Sequence, residues 1–346
     1  MSAAKDIPEV RAKLRALAEM TLGYIKELYN PPVLDTEAFD GKAFKDNLEK
    51  LGMILSNDAT KLAIACKPPC AADTAIPMIE ALGTTLLRIA GLISAIPRWA
   101  GRIYILEVKR ATEDILGGVV QLCNSFLGEH AVDTGKKKNS YLMSAGQVWH
   151  ACDVFKALSE ENSEAVMKRW RGMIETVEDA MHELETAIKE KEDSQQAEEA
   201  EEEADEEEGD GWEDVLGESR ALTKEEMETA KRCAALLKIT RMLLKKIQTR
   251  SIVGKRRQKE IELLDQSCEL SERLCDRVDE IAGYVDEIPS DDKLAELVEE
   301  FVSTASGVIK VATELAEEEH KPWFETCSNQ LKKIDEYFQE KAKRTA

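Results

Sequence analysis

Apolar residues recur along this chain at spacings of three and four, the period that gathers side chains on one face of an α-helix. Val10, Leu14, Leu17, Thr21, Tyr24 and Leu28 form a first stripe, and Asn30-Pro31-Pro32 ends it. A second stripe runs from about Glu37 to Cys66 through Phe44, Leu48, Leu51, Leu55 and Leu62. Lys67-Pro68-Pro69 stops it, because proline lacks the amide hydrogen that continues a helix. A third helix is expected over about 73–95. A fourth starts near Pro97 and runs towards Leu127, with Gly117-Gly118 as a candidate kink.

Past a break at 133–139, two more helices are expected over about 141–158 and 163–191. Thr223-Lys224-Glu225-Glu226 has the form of a capping box and opens a helix through Cys233, Leu237, Leu244 and Ile247. The cleanest period in the chain is Ile261, Leu264, Cys268, Ser271, Cys275, Val278, Ala282 and Val285. It predicts one helix from about Arg257 to Ile288 with a seam suited to coiled-coil-like packing. Pro289-Ser290 separates it from a helix bearing Leu294, Leu297, Phe301, Val308, Ala312 and Leu315, and Pro322-Trp323 opens a last helix ending near Lys341.

That makes about ten helices and no alternating apolar–polar run of the kind a strand requires. The expected fold is all-α, two antiparallel helical bundles joined by short connections. The boundary is placed near Gly135, giving units 1–135 and 136–346. A boundary inside the acidic stretch 192–220 is the alternative.

Charge changes the picture in one place. The net charge is −21, and Glu192 to Asp214 holds fourteen acidic residues with no Lys or Arg. Without that stretch the remainder carries only −7. Like charges at every helical spacing repel, so 192–220 is expected to be a disordered acidic loop. The balance argues against direct nucleic-acid binding, which relies on clustered cations. Thr74 to Trp99 is the most hydrophobic stretch, but Pro77, Glu80, Arg88 and Pro97 interrupt it, so it reads as a core helix and not a membrane span. Met1 to Arg15 has no apolar run of the signal-peptide kind. The eight cysteines are accordingly expected to be reduced and to act as small core hydrophobes.

Little of the remaining sequence carries chemistry. Gly128 and Gly135-Lys136 are separated by six residues where a phosphate-binding loop has four. His182-Glu183-Leu184-Glu185-Thr186 begins like a zinc-protease helix but has Thr186 where the second histidine belongs. Glu317 and His320 form a lone Glu-x-x-His, and Cys66 and Cys70 are a lone thiol pair, whereas a zinc site takes about four ligands. No catalytic residue, metal or cofactor is expected. Lys136-Lys137-Lys138 and Lys255-Arg256-Arg257 read as nuclear-import signals or as solvated turns.

One string stands apart. Ser144-Ala145-Gly146-Gln147-Val148-Trp149-His150-Ala151-Cys152-Asp153 brings a Gly, a Trp and an Asp together on a mostly apolar segment. Downstream come the acidic run, Gly211-Trp212-Glu213-Asp214, and the capped helix at Thr223. This order resembles the cyclin-D-binding, or Grap-and-cyclin-D-interacting, protein family (GCIP). The resemblance implies a pair of vinculin-like helical bundles and a non-enzymatic regulator of cell-cycle progression and transcription. It implies D-type cyclins and helix-loop-helix factors as partners and a place in both cytoplasm and nucleus. The family motif falls on Gly146, Gln147, Val148, Trp149 and Asp153, read either as partner contacts or as packing, with Trp149 filling the core and Asp153 accepting a buried hydrogen bond.

Two further surfaces are candidates for partner binding. One is an acidic docking segment at Glu201, Glu202, Glu203, Asp205, Glu206, Glu207, Glu208 and Trp212. The other is a helix-pairing seam at Ile261, Leu264, Val278 and Val285, should it be open. A vinculin-like cytoskeletal or signalling adaptor is the alternative function.

Overall fold

The computed structural model describes residues 3–30, 38–67, 69–128, 140–202, 222–252, 258–285 and 287–345. Among these the chain is all-α, with eleven α-helices and no strand. It divides into two units, Met1–Ala165 and Val166–Ala346.

The first unit is a closed ring of five helices: α1 (Ala3–Leu28), α2 (Gly41–Ala65), α3 (Ala72–Ser94), α4 (Arg102–Leu127) and α5 (Ser140–Val154). α1 packs on α3 and α4, α2 on α3 and α5, and α4 on α5. The apolar stripes read from the sequence are the buried ones, with Leu14, Leu48, Leu55, Leu62, Leu82 and Val108 closing the core. α2 begins at Gly41 because the Asp40 carboxylate accepts the Ala43 amide hydrogen at 3.0 Å, a side-chain N-cap. α4 runs unbroken through the glycine pair expected to kink it. Gly118 serves close packing instead, since a Cβ there would lie 3.3 Å from Val148 Cγ2 on α5.

The division falls later in the chain than the expected boundary near 135. That position lies outside the described residues, but α5 buries Ala145, Val148, Ala151 and Cys152 within the first unit. The segment after α5 is bound there too. The amide of Ser159 donates to Glu107 Oε2 at 3.3 Å, Lys45 pairs with Glu160 at 3.9 Å, and the Asn162 carboxamide caps α4. The unit therefore closes only after Asn162, at the start of α6 (Asn162–Glu202).

The second unit takes most of α6 with α7 (Lys224–Ile247), α8 (Gln258–Cys275), the short α9 (Val278–Ala282), α10 (Asp291–Leu315) and α11 (Lys321–Thr345). α10 packs on α8 and α11, and α11 on α7. Trp170, fully buried, ties α6 to α7 by donating its indole hydrogen to the Leu244 carbonyl at 2.9 Å. Arg169 on α6 reaches Glu272 on α8 at 2.7 Å. The capping box at Thr223 forms as expected, with both reciprocal bonds present. Ser290 stands at the N-cap position of α10 without a side-chain cap bond.

Two expectations are corrected in this unit. The helix expected over about 257–288 is two helices, because the chain turns at Asp276-Arg277. Arg277 sits at the edge of the right-handed helical region (φ −97°, ψ −8°), and its guanidinium pairs with Glu280 at 2.9 Å and with Glu300 of α10 at 3.0 Å. The stretch expected as a loop from 192 is helical through Glu202. Its first part is tied down: Glu192 pairs with Lys231 at 2.7 Å, and the Gln195 amide donates to the Leu222 carbonyl. Those contacts, together with Ala and Gln among the acids, offset the repulsion that argued for a loop.

Candidate functional site

The family motif lies on α5, and the structure sorts its residues by face. Val148 is fully buried between α5 and Gly118 of α4. Gln147, Trp149 and Asp153 are exposed. Trp149 is 39% exposed, and its indole Nε1 donates to Thr60 Oγ1 of α2 at 3.0 Å. Thr60 in turn donates to the Ser56 carbonyl at 2.8 Å. The ring thus lies across the α2–α5 seam at the surface, and the core-filling reading is corrected. α5 is buried along Ala145, Val148 and Cys152, and Trp149 falls one position beyond that stripe.

Asp153 likewise accepts no buried bond. It pairs with Lys156 at 2.6 Å in solvent, and that hydrogen bond holds its carboxyl below the ordinary aspartate value. Gly146 has no neighbouring atom within 4 Å of where a Cβ would sit, so it makes no close helix contact. The close approaches are at Gly118 and at Gly52 of α2, where a Cβ would lie 3.1 Å from the Phe155 ring. Leu142, Met143 and Val154 are also exposed.

The other two sequence candidates fare differently. Of the seam, Leu264, Val278 and Val285 are buried and Ile261 is half-buried, with α8 packed on α10. The seam is spent inside its own unit and offers no open helix face. In the acidic segment, the side chains of Glu201 and Glu202 and the whole of Glu203, Asp205, Glu206, Glu207, Glu208 and Trp212 lie outside the described residues, as do the basic runs at 136–138 and 255–257.

Chemistry is sparse among the described residues. Seven of the eight cysteines are buried and all eight are unbridged. Burial pushes the thiols of Cys66, Cys123, Cys152, Cys233, Cys268 and Cys275 up to about 12. His182 is exposed on α6, as a solvated helix face would have it. Glu317, Glu319 and His320 bring ligand atoms within 4.8 Å of one another, adding Glu319 to the pair read from the sequence. Glu317 and Glu319 are exposed and His320 is half-buried, 3.2 Å from Glu319.

A surface that sequence reading missed is apolar and exposed: Met53, Ile54 and Ile64 on α2 and Leu87 on α3. The signal was present, since Met53, Ile54 and Ile64 fall outside the Leu48–Leu55–Leu62 stripe.

Two helical units, with Gln147, Trp149 and Asp153 of the motif on an exposed face of α5, define an all-α helical-bundle protein. Comparison with known proteins shows what the chain is similar to. Residues 47–190 match the family model described as Grap2 and cyclin-D-interacting, N-terminal, and residues 163–318 match a domain of unknown function, DUF8721. The chain is 28% identical over 182 residues to the cyclin-D1-binding protein 1 homolog of Xenopus laevis, covering 52% of this chain and 54% of that relative. It is 27% identical over 281 residues to the cyclin-D1-binding protein 1 homolog of Danio rerio, covering 80% and 78%. It is 24% identical over 254 residues to the cyclin-D1-binding protein 1 of Homo sapiens, covering 71% and 69%. The chain is thus similar to the GCIP family, as the α5 motif implied, and the matched region 47–190 contains that motif.

Proposed function

We propose that this protein is a non-enzymatic binding protein that takes a D-type cyclin as partner and acts in cell-cycle control by sequestering what it binds. The reading rests on one observation above the others: the matched region contains α5, and α5 presents Trp149 to solvent. A large aromatic ring held at one edge by the Thr60 hydrogen bond and open on its other side is the kind of anchor that dominates protein interfaces. Helix-loop-helix factors as further partners, and residence in both cytoplasm and nucleus, belong to the same proposal.

The test is direct binding of purified D-type cyclin to the full chain, by calorimetry or surface plasmon resonance. The wild type should bind, and Trp149→Ala should bind at least tenfold more weakly while its thermal transition stays within a few degrees. Deleting 198–210 should reduce the association rate at low salt if the acidic segment steers the encounter. Absence of wild-type binding overturns the reading. Cosedimentation with filamentous actin in its place would favour the adaptor alternative.

A further inference from the structure

A cavity of about 240 Å³ opens in the first unit where the last turns of α1 and α3 meet the first half of α4. Small side chains leave the room for it. Ala90 and Ser94 stand one turn apart on α3, and neither fills the space that Leu28 of α1 and Ile105 and Leu116 of α4 bound from the other sides. A hollow walled largely by apolar side chains favours an apolar body that displaces its water.

Few polar groups line the cavity, and most of their hydrogens are spent. The Ser94 hydroxyl donates to the Gly91 carbonyl at 2.9 Å and the Thr112 hydroxyl to the Val108 carbonyl at 2.8 Å, each within its own helix. Lys109 differs. It lines the cavity from α4 and is half-buried. An ammonium has three hydrogens to donate, and this one makes a single long bond, to the Asn30 carbonyl at 3.3 Å. It also stands 5.8 Å from the centre of the Tyr29 ring. No carboxylate pairs with it among the described residues. Glu113 is taken by the Tyr29 hydroxyl at 2.5 Å, and Glu27 on the α1 wall is exposed and makes no ion pair with Lys109. Burial accordingly lowers the Lys109 pKa from the ordinary lysine value, with no neighbouring acid to offset it.

Charge and size together choose the ligand. A half-buried cation without a counter-charge gains when an anion meets it. The carbonyl ends of α1 and α3 lie at the same place and disfavour a multiply charged group such as phosphate, whereas one ammonium matches one carboxylate. A protein cavity of about 150 Å³ takes benzene, so one of about 240 Å³ takes about ten non-hydrogen atoms. We infer that this cavity binds a small monocarboxylate with an apolar body, its carboxylate on Lys109 and its body against Ala90, Ile93 and Leu116. The site involves neither α2 nor α5 and does not rest on the cyclin reading.

The probe is octanoate, which is of that size, compared with octan-1-ol and octylamine. Binding to the full chain is read by isothermal titration calorimetry and saturation-transfer NMR for the wild type, Lys109→Met, Ala90→Phe and Arg110→Met, with circular dichroism to check folding. Lys109→Met keeps the apolar stem and removes the charge, and Ala90→Phe fills the hollow. Arg110 is an exposed cation that does not line it. Octanoate should bind the wild type saturably at a single site, at least tenfold more tightly than the alcohol or the amine. Lys109→Met should lose at least tenfold in octanoate affinity and bind octan-1-ol as the wild type does. Ala90→Phe should bind none of the three, and Arg110→Met should match the wild type. No saturable octanoate binding overturns the inference, as does octan-1-ol or octylamine binding as tightly as octanoate. Octanoate affinity unchanged in Lys109→Met, retained in Ala90→Phe, or lost equally in Arg110→Met also overturns it. The ranking of the three ligands on the wild type decides the matter should a variant fail to fold.

Discussion

Asn162 supplies the cap that Gly101 cannot. Gly101 is the N-cap residue of α4 and has no side chain, and the Asn162 carboxamide oxygen accepts the Tyr104 amide hydrogen at 2.9 Å in its place. Gly101 is the one residue with positive φ among those described, at +102°, and a Cβ on it would fall 2.2 Å from Asn162 Cγ. Both facts forbid a side chain there. Gly101→Ala should destabilise the first unit by about 2–3 kcal/mol, combining backbone strain with loss of the remote cap. Asn162→Ala should cost about 1–2 kcal/mol, the range for removing an N-cap. Urea unfolding followed by circular dichroism checks both, and a neutral Gly101→Ala would show the cap to be dispensable.

The two tryptophans Trp149 and Trp170 give opposite expectations. Trp149 is exposed and its hydroxyl partner Thr60 reaches solvent, so Trp149→Ala should cost no more than about 1 kcal/mol. Trp170 is fully buried and bonds the Leu244 carbonyl, so Trp170→Ala should cost about 3–5 kcal/mol. Parallel thermal melts of the two variants settle the order. A large loss for Trp149→Ala would return that ring to a packing role and weaken its use as a binding probe.

Much of the fold was legible because helical period and breakers act locally. Prolines at 31–32, 97, 289 and 322 and the Thr223 box set or bracket helix ends through contacts within a few residues. What was not legible depended on distant partners. Asn162 caps a helix fifty-eight residues away, and that contact helps carry the first unit past the expected boundary at 135. The strongly periodic seam turns at Arg277, whose partner Glu300 stands on another helix. The chemistry of Trp149 suits either core packing or partner contact, and only its register on α5, one position off the buried stripe, decides between them. Apolarity alone does not say which side of a helix meets its neighbours, and the same limit concealed the exposed Leu87 of α3.

Thiol reactivity follows from burial. Cys70 is the half-buried cysteine, and the other seven are buried, with burial raising Cys327 to about 11 and the remaining six to about 12. At pH 8 a native sample should therefore release one equivalent of thionitrobenzoate quickly from Ellman's reagent and the other seven only on unfolding. Cys70→Ser should remove the fast phase. A fast phase that persists in this variant would mean that one of the buried thiols opens to solvent.

Glu178 on α6 accepts from Lys245 and Arg241 of α7, each at 2.5 Å. The Lys245 hydrogen bond first, and the Arg241 one next, hold its carboxyl below the ordinary glutamate value. A carboxyl depressed in the folded state contributes stability that is fully present above its unfolded pKa of about 4.3 and is lost as pH falls through the lower folded value. The side chains are about a third exposed, so solvent screening limits the contribution to about 1 kcal/mol or less. Glu178→Gln should consequently be less stable than wild type at pH 7 by that amount, and the difference should shrink as the pH drops below 4. Urea midpoints of the two proteins at pH 7, 5 and 3.5 measure it. High salt at pH 7 should narrow the gap as well, since exposed ion pairs are screened. A gap that stays constant from pH 7 to 3.5 would assign the effect of the substitution to packing and not to the ion pair.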